Sequence, residues 1–188
     1  MNLQAYVDML RAGGVLACPT ETQVGLLADA LNERAVQSIC AMKQRPPNEP
    51  IPLIVPSLEV ALELVRDVSA QAIALATQYW PGPLTLVLRG QARLPAPLLK
   101  NGNVALRIPG PSPALDLVTA FGAALTATSA NLSGLPPLST EITLRATFGT
   151  SLAGIVSGLP PGGLPSTIVD VTGDQPIVLR QGAIVLAF

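Results

Sequence analysis

Histidine is absent from all 188 residues. Without an imidazole the chain cannot run a Ser-His-Asp triad, a Cys-His pair or a His-ligated zinc centre. Charge is scarce too: 12% of residues are charged, and Lys+Arg 11 against Asp+Glu 12 leaves a net charge of −1. Nucleic-acid binding by gross electrostatics needs a basic surface, so that class starts at a disadvantage. Aromatics amount to 3%, few for stacking bases. Cysteine occurs twice, at Cys18 and Cys40, in no C-x-x-C pattern. Two thiols cannot close a structural zinc site, and a small disulfide scaffold would carry more. They read as buried thiols in a reducing compartment. The N-terminal stretch holds Asp8 and Arg11 and no apolar h-region, so no signal peptide is expected. Mean hydropathy is +0.48, yet the uncharged stretch 117–140 is broken by Gly122, Asn131, Gly134, Pro136 and Pro137. These features predict a soluble, cytoplasmic chain with no membrane span.

What remains is an apolar chain, 49% hydrophobic, long enough for one sizeable core. The 16 glycines and 19 prolines punctuate it evenly, without linker or repeat, and one domain over 1–188 is expected. The pattern predicts a helix over 3–12 and a buried strand over 15–18. A helix over 33–43 follows, capped by Asn32, then a strand over 51–55. Ser57 and Ser69 cap two further helices, and 84–88 and 104–108 are strands. Ser112-Pro113 opens another helix. A strand over 123–128 and a helix over 139–148 come next, and strands at 166–173, 176–182 and 183–188 close the chain. Helix and strand alternate early and strands cluster late, which predicts an α/β fold with a mixed parallel and antiparallel sheet.

In so apolar a chain, polar clusters at strand ends are informative, because ligands of open α/β sheets bind there. Five qualify: Pro19-Thr20-Glu21-Thr22; Lys43-Gln44-Arg45-Pro46; Arg107; Ser129-Ala130-Asn131-Leu132-Ser133-Gly134; and Pro165-Ser166-Thr167 with Arg180. Singly each has a plain structural explanation. PTET suits a helix cap or tight turn, the two cations at 43 and 45 suit a helix C-terminus, and the Ser/Asn set suits loop backbone. Arg107 differs, since a cation between Leu106 and Ile108 must find a partner. Together, four cations and a set of hydroxyls suggest a cleft for phosphates or a carboxylate. Neither G-x-x-x-x-G-K-[ST] nor a G-x-G-x-x-G after a strand is present.

In this order the clusters resemble the threonylcarbamoyl-AMP synthase family, the YrdC-like domain. The likeness runs through PTET..GL (19–26), KQRP (43–46), WPGPLTLVL (80–88), VALRIP (104–109), TSANLSG (128–134), PSTIVDVTGD (165–174) and LRQGAI (179–184). It implies an open, twisted sheet with surrounding helices and a large concave cavity, in the short single-domain form. The implied activity joins L-threonine, bicarbonate and ATP into threonylcarbamoyl-AMP with release of pyrophosphate, Mg²⁺ accompanying the ATP. A downstream threonylcarbamoyl transferase then modifies tRNA. Carried over residue by residue, Thr20 or Thr22 resembles the threonine-binding position. Lys43 and Arg45 resemble the catalytic phosphate pair, and Arg107 the partner of the threonine carboxylate. Ser129, Asn131 and Ser133 resemble nucleotide contacts, Ser166 a threonine contact and Arg180 a nucleotide contact. No resident metal site is implied. The likeness also extends to double-stranded RNA binding, and a diverged paralogue serving as an RNA- or nucleotide-binding module without synthase activity is the alternative. The chain departs from the pattern at Gln23-Val24, where an aromatic is usual, at Glu49, where a lysine is usual, and at Ser157-Gly158. Glu21 is the acid inside the first motif, and helix capping explains it as well as base catalysis does.

Overall fold

A computed structural model describes residues 2–158, 160 and 162–186. The helices form where the capping chemistry stands: α1 (Leu3–Arg11), α2 (Glu33–Lys43), α3 (Leu58–Leu64), α4 (Ala70–Tyr79), α5 (Pro113–Phe121) and α6 (Glu141–Phe148). In each, the side chain of Asn2, Asn32, Ser57, Ser69, Ser112 or Thr140 accepts from the amide three residues on, supplying one of the partners a helix start lacks. The last helix starts at Glu141 rather than at 139, with Thr140 as its cap.

The strands divide between two sheets. The smaller runs β8-β2-β1-β9, from β1 (Leu16–Pro19), β2 (Val24–Leu27), β8 (Thr128–Ser129) and β9 (Gly154–Ile155). The larger runs β11-β10-β4-β6-β3-β7, with β5 (Leu99–Lys100) alongside β6. Its other members are β3 (Leu53–Ile54), β4 (Leu84–Arg89), β6 (Asn103–Arg107), β7 (Leu125–Thr126), β10 (Thr167–Asp170) and β11 (Ile177–Arg180). Parallel pairs (β1/β9, β3/β6, β4/β10) mix with antiparallel ones in both sheets, so the mixed α/β expectation holds. Leu16, Leu26, Leu84, Leu86 and Leu106 are fully buried, and each such side chain contributes about 1.5–3 kcal/mol on leaving water.

Three expectations change. The strand over 123–128 is two strands in different sheets: Thr126 pairs with Leu53, whereas Thr128 pairs with Leu26. Between them Ala127 donates its amide to Pro52 O. Strands β2, β5 and β9, too short or too glycine-rich to show a period, were not expected. Residues 183–186 form no strand, and 187–188 lie outside the described residues. Thr167 Oγ1 accepts from the Gly182 and Ile184 amides and donates to Ile184 O, which knits this segment without a ladder.

Candidate active site

Between the two sheets lies a cleft of about 600 Å³. Its floor comes from alternate residues of the larger sheet: Thr85 and Val87 of β4, Asn103, Ala105 and Arg107 of β6, Ile168 and Asp170 of β10. Period-2 alternation sends such residues to one face. The smaller sheet and the loop after α2 supply the facing wall through Thr20, Thr22, Val24, Arg45, Glu49 and Ser129.

The turn between β1 and β2 is built by Thr20. Its amide donates to Gln23 O, and its hydroxyl donates to the same carbonyl while accepting from the Thr22 and Gln23 amides. PTET is therefore a tight turn and caps no helix. Thr20 has one hydroxyl proton, and Gln23 O takes it. With its proton given to Gln23 O and both lone pairs taken by the two amides, the Thr20 hydroxyl has nothing left for the Thr22 hydroxyl 3.0 Å away. Of the two threonines, Thr22 keeps lone pairs for a ligand, and Thr20 shapes the loop.

Arg107 closes β6, buried at 7% exposure. Its partner is Glu21, at the tip of that same turn, and the ion pair links the two sheets. No other hydrogen bond from its guanidinium is found among the described residues, and Arg107 lines the cleft. Burial, then the charge of Arg180, pushes it down to about 10, which leaves it cationic at neutral pH. Arg180 forks onto Ser166, donating to its carbonyl at 2.8 and 3.2 Å and to its hydroxyl at 3.2 Å. The Ser166 hydroxyl also meets Thr85 Oγ1 at 2.9 Å. Gly182 allows this arrangement, because a Cβ there would stand 2.2 Å from Pro165 O.

Lys43 and Arg45 part company at Gln44. There the backbone is left-handed (φ 51°), with Gln44 N bonded to Ala41 O and Arg45 N to Cys40 O, a Schellman closure. Arg45 faces the cleft, donating to Glu49 O, Pro50 O and Thr128 Oγ1. Lys43 turns inward at 1% exposure. Its ammonium donates to Ser129 O, Asn131 O and Asn131 Oδ1, committing all three protons. Burial and the charge of Arg45 lower it to about 8, against an opposing pull from Glu49. Asn131 in turn donates to Leu132 O and Leu135 O and accepts from Ser129 Oγ. Ser133 donates its amide to Lys43 O, while its buried hydroxyl has no partner among the described residues. Thus Thr20, Thr22, Arg45, Arg107, Ser129, Ser166 and Arg180 meet at the cleft, and Lys43, Asn131 and Ser133 lie under its rim.

A family profile named for Sua5, YciO and YrdC, and described as "Telomere recombination", matches residues 8–182. The chain belongs to the Sua5/YciO/YrdC family. Its relatives include proteins named threonylcarbamoyl-AMP synthase. That of Pyrococcus abyssi is 36% identical over 98% of this chain and 55% of its own length. The Bacillus subtilis protein is 36% identical over 94% and 52%, and the Vibrio cholerae protein 37% over 96% and 97%. The chain spans about half the length of the first two and nearly all of the third. Among solved structures, P. abyssi Sua5 complexed with L-threonine is similar at a TM-score of 0.89 and 34% identity, over 96% of this chain and 54% of that one. E. coli YciO gives 0.85 at 28% identity, over 96% and 88%.

In this member of the Sua5/YciO/YrdC family the motifs miss part of the cleft. Lys100, Asn101 and Asn103 line it as well, beside Asp170 from within the 165–174 motif. Asn101 and Gly102, both at positive φ, form the turn that carries the first three. Asn103 and Arg107, polar residues on either side of the small Ala105 on one face of β6, were the available signal. Two departures from the family pattern, Val24 and Glu49, stand on the cleft wall. Among the described residues no group of three or more Cys, Asp or Glu gathers to hold a metal, and no helix is long and apolar enough to cross a membrane.

Proposed function

We propose that this chain is a threonylcarbamoyl-AMP synthase acting in the cytoplasm, with residues 1–188 forming one domain. The Vibrio cholerae relative of that name, matched over 97% of its length, supports the domain reading. The observation that carries the activity is Arg107: a buried cation with guanidinium nitrogens unengaged among the described residues, in one cleft with Arg45, Arg180 and the Thr22, Ser129 and Ser166 hydroxyls. A planar guanidinium takes an amino-acid carboxylate by two parallel hydrogen bonds. A volume of about 600 Å³ falls within the range of small-molecule sites, roughly 300–1,000 Å³.

In the proposed reaction the threonine amine, as free base, adds to the carbon of CO₂ formed when bicarbonate loses hydroxide, and the nitrogen gives up a proton that converts that hydroxide to water, leaving a carbamate. A carbamate oxygen then attacks the α-phosphorus of ATP, the bond to the β-phosphate oxygen breaks, and pyrophosphate leaves. Such chemistry depends on placement and charge neutralisation more than on acid–base groups, which suits a chain without histidine. Arg107 holds the carboxylate, Thr22 offers lone pairs to the amine, and Arg45 and Arg180 face the phosphates. Lys43 and Asn131 keep the 129–133 loop in place under Ser129. Mg²⁺ carried with the triphosphate would supply charge neutralisation, and Glu49 and Asp170 are the cleft carboxylates that would meet it, too few for a cage and so suited to an ion that keeps its waters. The product is a mixed anhydride whose threonylcarbamoyl group a transferase passes to tRNA, with AMP as the leaving group.

Pyrophosphate release, measured with each component omitted in turn, tests the reading. Release should require threonine, bicarbonate and ATP together. Serine should be about 10- to 200-fold poorer, since one methyl group supports no more discrimination than that. Release without threonine rejects the synthase. No release, with tight binding of duplex RNA, puts the RNA-binding module in its place.

A further inference from the structure

Glu21 has no place in the reaction as written, yet it is buried in the one position where an acid meets Arg107. Its side chain is 12% exposed and that of Arg107 8%. Both Glu21 carboxylate oxygens are shut off from solvent, and Glu21 is not among the residues lining the cleft. The carboxylate thus stands behind Arg107, out of reach of a ligand in front of it. Gly110 makes the room: a Cβ there would come within 3.2 Å of Glu21 Cγ. Two cations converge at this end of the cleft, because Arg180 acts on Arg107. A buried guanidinium with no counter-ion would turn toward water or onto a carbonyl.

We infer that Glu21 is a positioning residue for the amino-acid carboxylate, anchoring the Arg107 guanidinium from below so that its unengaged nitrogens face the cleft. This rests on the synthase reading and assigns to the acid of the PTET turn a role other than general base. Glu21 carries no proton from the amine and touches no substrate. It fixes the orientation of the group that does, and it ties the turn holding Thr22 to the end of β6. The two amino-acid contacts, on different sheets, are therefore set relative to each other by one ion pair.

The test is steady-state pyrophosphate release by wild type, Glu21→Gln and Glu21→Asp with ATP and bicarbonate saturating, beside calorimetric titration of L-threonine into each. The amide keeps the shape and loses the charge. Glu21→Gln should raise the threonine KM and Kd by about 10- to 100-fold, the loss expected when a charge-assisted pair is misaligned. The ATP KM and kcat should stay within about threefold, and Glu21→Asp should recover part of the threonine affinity. A second variant, Gly110→Ala, presses on Glu21 Cγ without altering any charge, and should raise the threonine KM in the same direction. It decides the matter if Glu21→Gln does not fold. A loss confined to kcat, or to thermal stability with an unchanged threonine KM, overturns the inference while leaving the synthase intact. Wild type that neither turns over nor binds threonine overturns both.

Discussion

The left-handed turn at Gln44 gives two cations, two positions apart, different surroundings. Lys43 →Met would leave three acceptors around the ammonium without their donor, and removing one member of a buried charged group costs about 3–5 kcal/mol. Urea unfolding should show that loss, whereas Arg45→Ala should keep most of the stability and weaken ATP binding. Equal stability in the two variants would refute the division of labour. The same site predicts a pH dependence. In the folded chain Lys43 lies near 8 rather than 10.5, so between these values the unfolded state holds more protons and this group makes stability rise with pH. Activity runs the other way. A neutral amine has two protons for three acceptors, so the loop under Ser129 loosens and kcat/KM falls as pH rises through about 8. Glu49 supports the ammonium; Glu49→Gln should therefore move the alkaline limb to lower pH. A limb that stays put, in a pH profile of both proteins, would remove Lys43 as its origin.

At the scale of elements, one threonine side chain stitches the two sheets together beside the end of β2. Thr126 of β7 accepts the Ala28 amide at 2.9 Å and donates to Leu26 O at 3.2 Å, reaching from the larger sheet to the end of β2. Thr126→Val keeps the shape and strands a buried amide and a carbonyl, which costs about 1–3 kcal/mol for each group left unpaired. Denaturant unfolding should lose about 2–4 kcal/mol with the slope unchanged; a neutral substitution would show that the seam holds without it. This feature also marks where the sequence stops being readable. Helices were legible because a cap and a 3.6-residue period are local, and Asn32, Ser57, Ser69 and Ser112 each cap as expected. The run 123–128 looked like one strand because its apolar pattern is continuous, and nothing local says that Ala127 crosses between sheets. The polar clusters announced most of the cleft, and Arg107 announced its need for a partner. Which partner was not legible, because Glu21 lies 86 positions away and meets it through the packing of two sheets. The different surroundings of Lys43 and Arg45 were hidden for a related reason: a motif spells both cations alike, and only the backbone at Gln44 separates them.

Across the whole molecule, charge is nearly balanced at −1 but unevenly placed. Arg45, Lys100, Arg107 and Arg180 line one cleft, against Glu49 on its wall and Asp170 on its floor. Low-dielectric walls focus such a field on whatever enters, and that favours a polyanion in the cleft over one spread on the surface. Glu49 works against this field. Its side chain is 55% exposed and stands 3.9 Å from Arg45, a contact long enough and wet enough to contribute at most about 1 kcal/mol to stability. Reversing it should therefore leave the fold unharmed and act on the ligand. Glu49→Lys removes one repulsion of the triphosphate and adds one attraction, together about 1–2 kcal/mol at low salt, or roughly 5- to 30-fold in the Kd for ATP. Because the charge is exposed, the gain should shrink as the screening length falls from about 30 Å at 0.01 M salt to about 8 Å at 0.15 M. Calorimetric titration of ATP into both proteins at these two ionic strengths reads the effect directly. An unchanged Kd at low salt would mean that the triphosphate lies away from Glu49, and with it away from the Arg45 loop. A gain that survives high salt would mean a direct contact between the new ammonium and a phosphate, placing the triphosphate against residues 45–49.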